Sequence, residues 1–469
     1  MDRTGFKPTL SLLDGTMIVA GSMIGSGIFI VSAEMLRHVG SSGWLMVVWL
    51  ITGFMTVAAA VSYGELSAMF PKAGGQYVYL KESYNPLVGF LYGWSFFAVI
   101  QTGTIAAVGV AFSKFTAYLL PAVSEDKVLL SAGNFHISPA QVLSIATIIL
   151  LTYINTRGLK SGKLIQTSFT IIKLVSLFGL VILGLLAAKG EVWDANWANA
   201  WDLHALNKDG STGSYTMGAA LGAIAAAMVG SIFSSVAWEG VTFIGGEIKN
   251  PKRNLGLSLF LGTFVVTIVY LAANIMYTAV LPLQEIASAE KDRVAVAASN
   301  AIFGNIGTYV IAVMIMISTF GCNNGLVLAG ARVYYTMAKD GLFFKKTGEL
   351  NRFAVPEFAL WIQCLVACLL CLSGRYGDLL DMVSFVVVIF YVLTILGVFI
   401  LRKKRPDAER PYKAFAYPVL PAIFILMGLA FCVLLIMYKP GFTWPGLIIV
   451  LIGIPIYYLA VANKHKTGS

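Results

Sequence analysis

Charged side chains are scarce in this 469-residue sequence: 12% are Asp, Glu, Lys or Arg, while 58% are hydrophobic. Soluble domains carry roughly 25% charged residues, so a soluble enzyme is excluded as a first reading. Histidine is scarcer still. His38, His136, His204 and His465 all lie outside the apolar runs, which removes histidine-dependent catalysis at membrane depth. The five cysteines, Cys322, Cys364, Cys368, Cys371 and Cys432, sit inside apolar runs, so neither a secreted disulfide framework nor a zinc-ligand pattern is present. Cys364, Cys368 and Cys371 share a helix face and read as small packing residues. Missing too is a polar stretch long enough for a folded extramembrane domain: twelve spans of about 23 residues each would consume roughly 276 residues.

What is present is a series of apolar runs, each long enough to cross a hydrocarbon core of roughly 30 Å. Helices are expected at 12–37, 43–70, 86–121, 139–157, 163–188, 217–249, 254–281, 304–338, 357–373, 378–401, 416–437 and 441–462. The fold class is therefore an all-α polytopic membrane protein with twelve transmembrane helices. Arg3 and Lys7 before the first run resemble a signal peptide, but Asp14 and several glycines interrupt it and the run continues past Phe29, so it is expected to be retained. The net charge of +10 belongs to loops rather than to a nucleic-acid surface. With cytoplasmic termini, the cytoplasmic segments hold 22 Lys and Arg against 8 on the other side, and Lys114, Lys173 and Arg332 fall within helices. That bias places both ends inside, in a cell membrane. The basic run Arg402-Lys403-Lys404-Arg405 reads as a lipid-headgroup anchor. Residues 189–216 read as an external loop with interfacial tryptophans, and 282–303 as a short external helix.

Two runs are interrupted by residues that disfavour a helix. Gly21-Ser22-Met23-Ile24-Gly25-Ser26-Gly27 places three glycines in seven residues of the first, each costing about 1 kcal/mol relative to alanine. Ser234-Ser235-Val236-Ala237-Trp238-Glu239-Gly240 does the same in the sixth with polar groups and an acid. The breaks are separated by about 211 residues and lie at matching positions in two groups of five helices. Five is odd, so the second group must be inverted. The domains expected are a first repeat at 1–190, an inverted repeat at 191–405, and two appended helices with a tail at 406–469. An unwound turn frees N–H and C=O groups that lipid cannot satisfy, so each break must line a cavity or meet a ligand. A zwitterion suits both: a half-helix N-terminus attracts a carboxylate, and freed carbonyls accept from an ammonium.

At these residues the sequence resembles the L-type amino acid transporter family of the amino acid-polyamine-organocation superfamily, as a prokaryotic member. Gly25-Ser26-Gly27-Ile28-Phe29 is similar to its first-helix signature. Tyr63-Gly64-Glu65-Leu66 and Pro71-Lys72-Ala73-Gly74-Gly75-Gln76-Tyr77 are similar to its second-helix end and following loop. Glu247-Ile248-Lys249-Asn250-Pro251-Lys252-Arg253-Asn254 resembles the stretch after helix six, and Arg405-Pro406 with Arg410-Pro411-Tyr412 the loop after helix ten. The resemblance implies a leucine-transporter-type fold, a five-plus-five inverted repeat with broken helices 1 and 6, moving amino acids by alternating access.

It also implies that N–H groups at Ser26 and Gly27 bind the substrate carboxylate and that carbonyls at Met23, Ile24, Phe233 and Val236 bind its ammonium, with Phe233 closing over it. Gly25, Ser234 and Trp238 complete the expected lining. Glu239 departs from the L-type pattern and resembles the related basic amino acid and polyamine antiporters. Three roles stay open for it: a proton-linked group, a partner for a cationic substrate, or a structural acceptor.

Lys173 lies about ten residues, hence roughly 15 Å, inside the fifth helix, too deep to snorkel. In the family the matching lysine resembles a substitute for the sodium of related carriers. Here it is expected to brace the first helix against Ser318 and Thr319 of the eighth. Lys114 and Arg332 are expected at the interface, and Gln101, Thr102, Asn323 and Asn324 are candidates for pocket walls or interhelical bonds.

The expected function is a sodium-independent exchanger of small or mid-sized neutral L-amino acids. The alternatives are a proton-coupled symporter, a cationic amino acid or polyamine antiporter, and a non-transporting nutrient receptor. No catalytic residue, metal or cofactor is expected, and no obligatory second subunit, since no cysteine falls in an external loop. Gly40-Ser41-Ser42-Gly43 matches a serine-protease pattern by chance, in a turn with no accompanying histidine.

Overall fold

The computed structural model describes residues 8–71, 74–132, 135–373 and 376–466, and these are helical almost throughout. Among them nine helices are long and apolar enough to cross a bilayer. The pair Leu12–Met23 and Gly27–Val39, bent by 44°, supplies a tenth, and two shorter apolar helices, Glu357–Leu372 and Thr443–Leu459, stand where the ninth and twelfth spans were expected. Polar capping starts several of them. Ser11 and Asp14 form a capping box on the first helix, Ser138 and Gln141 another ahead of Pro139, and Asn85 caps the helix begun by Pro86. Gly40, at φ +69, ends the Gly27–Val39 helix in the left-handed conformation, and a side chain there would meet the His204 carbonyl at 2.4 Å. The Gly-Ser-Ser-Gly run is thus a helix turn.

The surface confirms the medium. Val175, Phe178, Ile182 and Leu186 form an outward stripe on one helix, and Leu426, Leu429, Val433 and Met437 on another, all exposed. Burial of such side chains is worth about 1.5–3 kcal/mol each, so stripes of them facing outward belong in lipid.

Inside, corresponding elements of the two expected repeats pack on one another. Ser42–Met69 lies along Pro251–Val280, Gly27–Val39 along Met217–Ser234, and Gln101–Leu119 against Val294–Lys339. This is the pattern that a two-fold axis between inverted halves produces.

Four expectations are corrected. The 282–303 stretch is not a single short helix: Leu283–Ala287 is one, and the long helix begins at Val294, with a break at Gly304 (φ 68). The 189–216 loop carries a helix, Gly190–Ala198, and a hairpin of His204–Leu206 with Thr212–Ser214.

The basic run after Tyr376–Lys404 is held largely by protein rather than by lipid. Arg402 forks onto Glu65 at 3.0 and 2.6 Å, Lys404 donates to the Ser83 carbonyl, and Arg405 pairs with Glu82. Glu65, 1% exposed, also accepts from the Ala414 N–H and pairs with Arg410. The Tyr-Gly-Glu-Leu and Arg-Pro-Tyr motifs are therefore two halves of one clasp, in which Gly64 leaves room for the Tyr412 ring. Arg332, finally, does not snorkel. It is buried and paired with Glu247 at 3.0 Å, because a carboxylate at this depth satisfies it better than a distant interface.

Candidate functional site

The first helix stops at Met23 and restarts at Gly27. Ile24 leaves helical geometry (ψ 84), and the Gly25 N–H turns back to the Met23 carbonyl at 2.8 Å. The carbonyls of the broken turn then find side-chain partners. Lys173 Nζ donates to the Gly21 carbonyl and, at 2.9 Å, to that of Ile24. Cys322 reaches the Ser22 carbonyl at 3.3 Å, Ser318 Oγ the Ile24 carbonyl at 3.5 Å, and Tyr270 Oη the Met23 carbonyl at 2.9 Å. The restarted half leaves its first N–H groups, at Ser26 and Gly27, without intrahelical acceptors.

The second break faces the first. Met217–Ser234 ends, Ala237 takes a left-handed conformation (φ 68), and a short turn restarts at Gly240. Alanine is strained there, a conformation that clusters at functional sites. The breaks touch: a Cβ on Gly27 would lie 2.0 Å from Ser234 Oγ. Tyr270 sits at 2.9 Å from the carbonyls of both Met23 and Ser234, so one hydroxyl ties the two unwound turns together. Sequence reading missed this residue. Its signal was a tyrosine in the middle of an apolar helix, whose hydroxyl must find a partner.

Lys173 is 1% exposed, and among the described residues no carboxylate lies within salt-bridge distance of it. A lysine at this depth costs about 2.5–3.5 kcal/mol. Hydrogen bonds from a charged donor return about 1.5–3 kcal/mol each, so its two carbonyl bonds are enough to hold it in place. Of the two hydroxyls expected beside it, Ser318 reaches the break, whereas Thr319 bonds back to the Ile315 and Met316 carbonyls of its own helix.

The other expected residues divide by location. Phe233 packs edge-to-face on Tyr376 with ring centres 6.1 Å apart, and the Tyr376 hydroxyl meets Ser26 Oγ at 3.0 Å. These two aromatics roof the breaks, and beyond Tyr376 opens a cavity of about 820 Å³. Val236 is buried beside the second break. Trp238 turns away from the first break onto Tyr63 and Tyr391, at 4.7 and 5.1 Å. Glu239, 4% exposed, accepts from the Tyr391 hydroxyl at 2.7 Å. Gln101, Asn323 and Asn324 join helices, bonding the Leu326 carbonyl, the Ile105 carbonyl and Asn155 respectively, while Thr102 bonds the Phe97 carbonyl in its own helix.

The end of the bundle near Thr9 and Glu247 is closed. Thr9 and Leu10 N–H groups both meet the Glu247 carbonyl at 2.9 Å, and Lys249 N–H meets the Leu10 carbonyl at 2.8 Å, while the Glu247 side chain carries the Arg332 pair. Access to the breaks is therefore from the Tyr376 side. Glu34 and Asp381, separate in the sequence, both reach Lys439 on that side, at 3.6 and 3.0 Å, and so serve as its ion-pair partners.

A family described as amino acid permease matches residues 10–461. The chain is similar to the large neutral amino acids transporter small subunit 2 of Homo sapiens, 28% identical over 463 residues, covering 98% of this chain and 82% of the relative. It is similar to the Asc-type amino acid transporter 1 of Mus musculus, 29% identical over 467 residues, 99% of this chain and 83% of the relative. Over 457 residues it is 29% identical to the serine/threonine exchanger SteT of Bacillus subtilis (strain 168), 97% of each chain being covered.

Proposed function

The chain belongs to the amino acid permease family, within the amino acid-polyamine-organocation superfamily and its leucine-transporter-type fold, and from that membership we propose that it exchanges neutral L-amino acids across a membrane without sodium. The observation that carries this reading is the pair of touching helix breaks under Phe233 and Tyr376. The N–H groups at Ser26 and Gly27, without acceptors among the described residues, receive the carboxylate. A carbonyl oxygen has two lone pairs, so Met23 still has one for the ammonium beside Tyr270, and the Phe233 and Val236 carbonyls supply further acceptors. These contacts read the amino-acid head, and the small Ser234, Ser235 and Ala237 around them leave room for side chains of modest size. The relatives' names, among them a serine/threonine exchanger and a neutral amino acid transporter, point the same way.

Lys173 supports the sodium-independent part. The Gly21 and Ile24 carbonyls with the Ser318 hydroxyl are the oxygen donors that a monovalent cation would take, and a tethered ammonium fills that place. Glu239 is best read as a structural acceptor, held by Tyr391 beside Trp238 rather than at the first break. The 22-to-8 distribution of Lys and Arg supports termini in the cytoplasm, the closed end inside and the 820 Å³ cavity facing out. All five cysteines lie in helices, which supports a transporter that works without a disulfide-linked second subunit.

The test is uptake of labelled L-serine, L-alanine and L-leucine into proteoliposomes in sodium-free buffer. Rapid uptake into vesicles preloaded with unlabelled amino acid, with near-background uptake into empty ones, is the expected result. Proton-driven uptake into empty vesicles contradicts exchange, and binding with no uptake in either case shows a receptor.

A further inference from the structure

Beyond the roof formed by Tyr376 lie two adjoining cavities, one of about 820 Å³ and one of about 300 Å³, which share Lys114, Glu125, Asp126 and Ala140 in their walls. Lys114 stands at their junction, Nζ 5.5 Å from the centre of the Tyr376 ring. Among the described residues no carboxylate lies within 4.0 Å of it, so the interface position read from its sequence place is replaced by one inside the access route. Arg293 lines the smaller cavity and is 5% exposed. Its guanidinium lies over the Tyr118 ring at 5.1 Å, Nε and Nη2 bond Glu290, and Nη1 has no hydrogen-bond partner among the described residues. Lys291, by contrast, is spent on Asp126 and Glu125. A buried donor without a partner is costly, and such a group calls for a ligand or another explanation.

We propose that this mouth is a second, weaker amino-acid site, in which Lys114 and Arg293 hold the carboxylate of an incoming amino acid before it passes Tyr376 to the helix breaks. The inference rests on the exchange function proposed above and adds to it a route and a sidedness. The carboxylates on the same walls decide the ligand's class. Glu125 and Asp126 border both cavities and Glu34 the larger, and a hydrogen bond from Lys291 holds the Asp126 carboxyl below the usual carboxylate range, so it stays charged. These acids repel an inorganic anion but offer acceptors to an ammonium, so a zwitterion fits both signs. A volume of about 300 Å³ is at the small end of ligand pockets, the size for a compact ligand. From there the Lys114 ammonium, over the Tyr376 ring, leads the carboxylate toward the hydroxyl pair of Tyr376 and Ser26 and on to the N–H groups at the first break.

The experiment compares wild type, Lys114→Met, Lys114→Arg and Arg293→Gln in oriented proteoliposomes, with exchange measured at each face and chloride present or replaced by gluconate. Lys114→Met and Arg293→Gln are expected to raise the half-saturating concentration at the cavity face about tenfold, leaving that at the other face and the maximal rate within about twofold, because a charge on the approach changes encounter more than turnover. Lys114→Arg is expected to stay near wild type. An unchanged cavity-face value in Lys114→Met overturns the proposal, as does an equal rise at both faces, which marks a structural defect. A chloride requirement in wild type that both charge-removing variants lose overturns it in favour of an inorganic-anion site. If wild type exchanges no amino acid at all, the functional reading itself falls before any variant is compared.

Discussion

Replacing Lys173 by alanine is expected to lower amino-acid exchange by about a hundredfold while the protein still folds and inserts. The substitution leaves the Gly21 carbonyl without its donor and the Ile24 carbonyl with only the long Ser318 contact at 3.5 Å, at a depth where lipid offers none. Each unsatisfied buried acceptor costs about 1–3 kcal/mol, and a total near 3 kcal/mol is about a hundredfold in the population of the competent arrangement. Lys173→Met separates charge from packing: it keeps most of the aliphatic stem and should be as defective as alanine. Uptake by purified, monodisperse variants in sodium-free vesicles checks both, with added sodium as the second arm. Near-normal uptake by either variant refutes the bracing role, and strong stimulation of wild type by sodium refutes the idea that the ammonium fills a cation's place.

Gly27→Ala carries the second large effect. The added Cβ would lie 2.0 Å from Ser234 Oγ, 2.7 Å from its Cβ and 2.9 Å from its Cα. A side chain can rotate away, but the Cα cannot move without parting the two breaks, and overpacking of this kind costs about 1–3 kcal/mol. Exchange is expected to fall about 10- to 100-fold. The neighbouring Gly25→Ala should be milder, since the one tight contact of its Cβ would be the Cys322 thiol at 3.1 Å, which has a rotamer to yield, the Met23 carbonyl lying at an ordinary 3.9 Å. Combining Gly27→Ala with Ser234→Gly removes the two nearer obstacles and should restore part of the activity. Equal loss in the Gly25 and Gly27 variants would show that close approach of the breaks is not the reason for glycine at position 27.

The breaks were legible from sequence because they violate a strong rule: glycine, serine and an acid at mid-depth of an apolar run need compensation, and recurrence at matched spacing made packing a poor explanation. Lys173 was legible for the same reason, by depth alone. Hydropathy reports depth but not partners, and the misplaced residues follow from that. Arg332 and Lys114 lie near helix ends, where snorkelling is the cheaper expectation, yet one is buried against Glu247 and the other lines a cavity. The Arg402–Arg405 run looked lipid-facing because Glu65 and Glu82 are more than 300 residues away in sequence. Tyr376 acts through a single hydroxyl at a helix start and no local pattern sets it apart, while Tyr270 offered only the weak signal of a polar tip inside an apolar helix, which does not say what the hydroxyl binds.

The central claim is that the two breaks form the amino-acid site, and a density map of the protein in lipid nanodiscs with saturating L-alanine tests it most directly. The account predicts the carboxylate about 3 Å from the Ser26 and Gly27 nitrogens, the ammonium toward the carbonyls of Met23, Phe233 and Val236, and the Phe233 ring over the ligand. Alanine bound beside Glu239, with the breaks empty and Tyr270 still bridging them, would contradict it.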